Sequence, residues 1–311
     1  MVTEPGAGAG LAAPIDVGII RALLVPLTNG NVPLTHKTDF ENDTTAVPVA
    51  PGRYRVELND RWWIGPGPNG GYTAALMLQA MTETVTEITE EARHQPARSL
   101  SVHFLGRPVV GEAEIETTIE HKGYATSFIS ARLMQEGEIK AKAMSVFSSE
   151  RDGPSFDHSS MPDVPAPEEG EELDTAKAPV AVFSQYRAVL AIGGFAYSGS
   201  EKAETGGWMK LKDEQPMTPV LAAAMLDVWF PAPFVALTER AMAPTLEYTV
   251  HFPRELPVKG EEEPDWVLVR LMTDEANEGH FSEDGELWSR NGTLLARCRQ
   301  VALLRHPKKE G

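Results

Sequence analysis

At 311 residues, 42% hydrophobic and 23% charged, the chain is long enough for roughly two domain-sized cores. A formal net charge of −17 argues against broad binding to nucleic acid or to an anionic membrane, where clustered Lys and Arg are needed. The single cysteine, Cys298, excludes an internal disulfide and fits a reducing compartment. No apolar run reaches the roughly 18 residues of a spanning helix, and the most apolar early stretch is broken by Asp16, Arg21 and Pro26. The N-terminus lacks a basic n-region and a clean cleavage site, and the final Lys-Lys-Glu-Gly is not a receptor-read address. Cytoplasm is the expected compartment.

Residues 1–50 are rich in Gly, Ala, Pro and Thr and read as an extension with at most a short helix near Ile15–Leu24. An N-terminal domain is expected over 51–150. It starts with a strand at Tyr54–Leu58 and a helix from Gly70 to about Glu87, whose Tyr72, Leu76, Ala80 and Val85 share a stripe. Alternating runs follow at Ser99–Gly106, Ala113–His121, Ser127–Met134 and Lys140–Ser148, the pattern of antiparallel strands with one polar face. Residues 151–179, with five prolines and the acidic run Glu168, Glu169, Glu171, Glu172, Asp174, read as a solvated linker. A C-terminal domain over 180–307 repeats the plan. Strands are expected at Phe183–Ala196 and Gly207–Lys212, then a helix at Pro219–Phe230. Further strands are expected at Thr245–Phe252, Trp266–Thr273, Gly279–Trp288 and Leu294–Leu304. The class is α+β.

The repeat is visible residue by residue. Ala74–Gln79 matches Ala222–Asp227, and Val102-His103-Phe104 matches Val250-His251-Phe252, both at an offset of 148. Gly137–Ala141 matches Gly292–Ala296 at an offset of 155. One helix followed by a long antiparallel sheet, done twice, implies a helix wrapped by each sheet and two sheets joined side by side.

Mismatches between the copies mark candidate chemistry. Gln79 is replaced by Asp227, a carboxylate in an otherwise apolar stretch, where desolvation is costly unless a partner is present. The alternative places Asp227 on the helix's outer face or near its C-terminal end, although helix C-termini disfavour acids. Ser101 is replaced by Thr249 and Ser145 by Gln300. An Asp, a Thr and a Gln could together hold one water, the carboxylate taking its proton. The first copy contributes Asn69-Gly70-Gly71 at its helix start, where the second has Met217-Thr218-Pro219. Backbone N–H groups there could polarise a carbonyl, or the segment could be a tight turn with an Asn cap.

Other motifs are weaker. Gly65-Pro-Gly-Pro-Asn-Gly satisfies Gly-x-Gly-x-x-Gly, but no βαβ alternation follows it. There is no Gly-x-Ser-x-Gly elbow, the eight histidines show no metal spacing, and Cys298 reads as a small core filler.

The segments Trp63-Ile-Gly-Pro-Gly-Pro-Asn-Gly-Gly-Tyr-Thr-Ala-Ala, Leu100-Ser-Val-His-Phe-Leu-Gly-Arg-Pro, Gly279-His-Phe-Ser-Glu-Asp-Gly-Glu-Leu-Trp and Leu295-Ala-Arg-Cys-Arg-Gln-Val-Ala-Leu-Leu occur in this order. Together they resemble the double-hotdog acyl-CoA thioesterases of the thioesterase II type, over about residues 50–305. The resemblance implies two tandem hotdog domains forming one pseudo-dimeric double hotdog, paired further into a homodimer. It also implies an Asp, Thr or Ser, and Gln triad, which falls on Asp227, Thr249 and Gln300, activating water against a thioester. CoA would enter as part of the substrate, needing a local basic patch on this acidic chain, and no metal or bound cofactor is required. Where the family often has Asp-His, this chain has Glu247-Tyr248. A non-hydrolytic acyl-thioester binding protein is therefore the alternative. Hydratases on related folds usually carry an Asp-His pair on the helix, and no His accompanies Asp227.

Overall fold

The computed structural model describes residues 37–89 and 94–306, so the helix expected near Ile15–Leu24 lies outside the described residues. The first half contains α1 (Asp39–Asp43), β1 (Val47–Ala50), β2 (Arg53–Leu58), the two-residue strands β3 (Trp63–Ile64) and β4 (Gly67–Pro68), and α2 (Gly70–Ile88). Four long strands complete it: β5 (Ala97–Phe104), β6 (Gly111–Lys122), β7 (Thr126–Gln135) and β8 (Glu138–Ser148). The second half contains β9 (Tyr186–Gly193), β10 (Ala203–Leu211), α3 (Pro219–Met225), α4 (Pro233–Ala236) and β11 (Thr245–His251). It ends with β12 (Val267–Thr273), β13 (Ala276–Asn277), β14 (His280–Ser289) and β15 (Leu294–Leu303).

These strands form one continuous antiparallel sheet in the order β1-β2-β6-β7-β8-β5-β11-β15-β14-β12-β10-β9, with β13 on β14. The order is the same read from either edge once each strand is exchanged for its repeat partner. At the centre, β5 pairs with β11, and Ser101 lies opposite Thr249, the residue 148 positions later. Glu247 opposite His103 and His251 opposite Ser99 flank that pair symmetrically. A pseudo-twofold axis therefore passes between Ser101 and Thr249. Two sheets joined at a seam, each curving round its own helix, make the double hotdog that the sequence implies.

α2 forms because Ala, Leu, Met and Gln dominate after its glycine pair, and it is buried on nearly all sides: Ala74 through Leu78, Ala80 and Met81 are fully covered. A fully buried Leu or Met contributes about 2 kcal/mol by transfer from water, so Leu76, Met77 and Leu78 anchor the helix against its sheet.

α3 is shorter than the sequence pattern suggested, ending at Met225 rather than Phe230. Pro231 and Pro233 are the reason. Proline disfavours helical geometry in the residue before it, and Pro231 has no N–H to offer the carbonyl of Asp227, four residues back. Asp227 consequently sits in a turn just beyond the helix. Within residues 1–50, α1 and β1 are ordered elements that the extension reading did not anticipate. Thr38 caps α1 in a capping box with Glu41.

Residues 151–179 lie on the second half's outer sheet face. Met161 and Val164 pack on Trp208, Trp266, Leu268 and Trp288, and Trp208 Nε1 donates to the Pro165 carbonyl at 2.9 Å. Arg187 and Arg290 bind Glu172 and Glu168, both at 2.7 Å. The acidic side chains face solvent, yet the backbone is tied down, because this half has apolar residues on both sheet faces. No helix among the described residues is long and apolar enough to cross a membrane.

Candidate active site

The broken end of α3 meets the start of α2. The α2 N-cap, Asn69, is almost fully buried, and its Oδ1 accepts from the Tyr72 N–H at 3.0 Å. The other end of the same amide crosses to the second half. Its Nδ2 donates to the Asp227 carbonyl at 2.7 Å and to Asp227 Oδ2 at 3.0 Å. That carbonyl is the one Pro231 leaves without a helical partner. The Gly71 N–H donates to Asp227 Oδ2 at 2.8 Å. The carboxylate is thus held at the positive end of a 19-residue helix, which answers why an acid stands at the C-terminal end of α3.

Glycine is needed here for close approach. A Cβ on Gly71 would stand 2.6 Å from the Ala224 carbonyl oxygen and 2.8 Å from Asp227 Cβ. One on Gly70 would stand 2.9 Å from Asp227 Oδ2. The Asn69-Gly70-Gly71 turn therefore clamps a carboxylate. The polarising site for a substrate carbonyl that the sequence suggested is, at Gly71, occupied by Asp227.

Burial pushes Asp227 up to about 6, against the pull of the Gly71 N–H, the Asn69 amide, the Gln300 amide and the Gly70 N–H. Half-buried and ionised near neutrality, Asp227 has the properties of a general base. Gln300 faces the same interior from β15, with 3% of its surface exposed. Its Oε1 accepts from Thr245 Oγ1 at 2.8 Å, and its Nε2 donates to Glu283 Oε1 at 2.6 Å.

Thr249 does not join them. Tyr248, its neighbour, is the inward residue, opposite Gln300 on β15 and donating to the Ala223 carbonyl at 2.8 Å. Thr249 points to the outer face, where its hydroxyl donates to Ser101 Oγ at 2.9 Å and contacts Glu247. The hydroxyl that meets Gln300 is Thr245, four residues earlier. Simple alternation would put Thr245 and Thr249 on one face. A bulge between Thr245 and Glu247 reverses the phase, so Thr245 pairs with the inward Ala302. β5 carries the matching bulge between Ala97 and Ser99.

Residues 58–148 match the family model described as the acyl-CoA thioesterase N-terminal domain, and residues 159–304 match that of the C-terminal domain. The chain belongs to the acyl-CoA thioesterase family. An uncharacterised Mycobacterium tuberculosis protein is 24% identical over 276 residues, covering 81% of this chain and 90% of its own. A hotdog-fold protein of unknown function from Alicyclobacillus acidocaldarius superposes with a TM-score of 0.78 at 26% identity, covering 88% of this chain and 100% of its own. A Thermobifida fusca structure, provisionally assigned as a thioesterase II, gives 0.73 at 25%, covering 89% and 100%. An acyl-CoA thioesterase II from Mycobacterium marinum shares the fold, with a TM-score of 0.67 at 18% identity over 86% of this chain and 99% of its own.

This member of the thioesterase family keeps a counterpart to the Asp227 region on the other side of the pseudo-axis. A cavity of about 390 Å³ is lined there by Gln79, Ala97, Thr218 and Pro219, the repeat partners of Asp227, Thr245, Gly70 and Gly71. Gln79 turns away to Glu83 at 2.7 Å, Ala97 has no hydroxyl, and Pro219 has no N–H. Two residues bonded to Gln300 escaped the sequence reading. Thr245 was signalled by its mismatch with Ala97, and Glu283 by an acid in the inward register of Phe281, Gly285 and Leu287.

Proposed function

We propose that the chain hydrolyses acyl-CoA thioesters to the free acid and CoA, with Asp227 as general base. The observation that carries this reading is the Asp227 carboxylate, raised toward neutrality by burial and aimed by the start of α2. A water beside Asp227 gives up a proton to the carboxylate while its oxygen bonds to the thioester carbonyl carbon. Collapse of that adduct breaks the C–S bond, and the departing CoA thiolate takes up a proton. Gln300 and Thr245 orient the water in this scheme. Thr249 is given no such role, because its hydroxyl lies on the opposite sheet face.

Release of free thiol from a panel of CoA esters, from acetyl to palmitoyl, tests the proposal on the wild type and on Asp227→Asn. Turnover of at least one ester, lost in the variant, is the expected result. Equal turnover in the variant would remove Asp227 from the reaction. Tight binding of the esters without thiol release would instead favour a non-hydrolytic acyl-thioester binding protein.

A further inference from the structure

Gln300 has no charge, and its two ends must be told apart before it can orient anything. An amide has a donor end and an acceptor end of nearly equal shape, and what it contacts decides which points where. A Thr hydroxyl can donate or accept, so Thr245 at Oε1 leaves the choice open, and the partner at the other end is Glu283.

Glu283 is opposite Gln300 in the β14–β15 register and is fully buried, with 0% of its surface exposed. Its Oε1 accepts from Gln300 Nε2 at 2.6 Å, and its Oε2 accepts from the Ala232 N–H at 2.6 Å. Both oxygens act as acceptors, and these two N–H donors oppose the burial that pushes Glu283 up to about 8. Against the ionised acid, an amide turned the other way would bring two oxygens into contact at that distance. Isolated burial of an acid is unfavourable, so its presence here asks for a reason.

The duplication supplies a control. In the first half, Ser145 stands in place of Gln300, and the residue opposite it on β7 is Ile129, which is apolar and fully buried. Ser145 turns aside to the Ser99 carbonyl at 2.6 Å. A buried acid at this register occurs only in the half that carries Asp227 and Gln300.

We propose that Glu283 is a positioning residue for the hydrolysis, fixing the Gln300 amide with its nitrogen toward Glu283 and Asp227 and its oxygen on Thr245. One N–H of that nitrogen binds Glu283, and the other is directed to the Asp227 side, where the Gln300 amide favours the charged form of Asp227. This role rests on the reading of Asp227 as the base. A purely structural duty, tying Ala232 at the start of α4 to the sheet, would also keep a Glu here.

A double-mutant cycle on the intact chain separates the two. Glu283→Gln keeps the size but presents a single acceptor oxygen to two N–H donors. It is expected to lower kcat roughly tenfold to hundredfold, with KM within about threefold, as misorientation of a catalytic group does. Gln300→Ala is expected to lose at least as much. The double variant should then be no slower than Gln300→Ala alone, because Glu283 acts only through the amide.

Multiplicative losses, or wild-type kcat in Glu283→Gln, would overturn the role. Should Glu283→Gln fail to fold, Glu283→Leu replaces the buried carboxyl by an apolar side chain and must show the same dependence on Gln300. Asp227→Asn is run beside them. A wild-type rate there sinks the hydrolytic reading itself, whereas an inactive Asp227→Asn with an unimpaired Glu283→Gln sinks only the role of Glu283.

Discussion

The two halves carry the same elements in the same order, but one helix runs 19 residues without a break and the other stops after 7. In the first half the residue in Asp227's place, Gln79, lies along the unbroken helix and bonds to Glu83 one turn on. In the second half, Pro231 and Pro233 end the helix early, and the freed turn swings Asp227 against the start of α2. The candidate site is therefore built across the two halves, with its acid from one and its N–H clamp from the other. A perfect repeat would have made two identical sites. Here the glycine pair is kept in one half and the carboxylate, hydroxyl and amide in the other, which leaves one complete set and one cavity without it.

The most severe way to break this asymmetry is to remove the acid. Asp227→Asn is expected to lower kcat by about 10²- to 10⁴-fold, the usual contribution of a general base. In the wild type, kcat/KM should rise with pH and level off above about 6, where Asp227 becomes ionised. The same variant should gain stability. Because the folded pKa of about 6 exceeds the unfolded value of about 4, the native state binds the extra proton, and wild-type stability falls as pH rises through that window. Asp227 is half-buried as a residue, so the gain is on the order of 1 kcal/mol at pH 7.5, a few degrees in Tm, closing below about pH 4. Thermal melts at the two pH values check this.

Next in size is the clamp. Gly71→Ala drives a methyl into the Ala224 carbonyl and Asp227, where it cannot be absorbed by a flexible side chain. A loss of about 1–3 kcal/mol in stability and about a hundredfold in kcat is expected from melts and thiol-release kinetics. Gly70→Ala, crowding only Asp227 Oδ2 and the Phe104 ring, should do less.

A smaller effect sharpens which threonine belongs to the site. Thr245→Val should lower kcat about tenfold by freeing the Gln300 amide, whereas Thr249→Val should stay within about twofold. The reverse ranking would restore Thr249 and contradict the bulge. Smallest of all, Gln79→Ala in the counterpart cavity should leave kcat within about twofold of wild type, measured on the same ester panel.

Much of this was legible in the sequence. Alternating runs are a local signal, and the long strands lie within a few residues of where periodicity placed them. The duplication was legible because two blocks share the offset of 148, and its mismatches singled out Asp227, Thr249 and Gln300, where the other copy has Gln79, Ser101 and Ser145. Even the early stop of α3 has a local cause in Pro231, although the expected helix was carried up to Phe230.

What the tertiary structure alone decided is which polar side chains face one another. Thr245 and Thr249 differ in face only because one inserted residue in the β11–β15 pairing reverses the alternation, and a bulge has no fixed signature in sequence. Glu283 shares the inward register of Phe281, Gly285 and Leu287, but that it meets Gln300 is decided only when β14 is laid beside β15. Asn69, Gly70 and Gly71 announce a helix start, but that its N–H groups receive a carboxylate from 156 residues away depends on α2 and α3 abutting end to start. Sequence patterns report the spacing of neighbours along the chain, whereas this clamp and this amide are set by contacts between segments that only the closed sheet brings together.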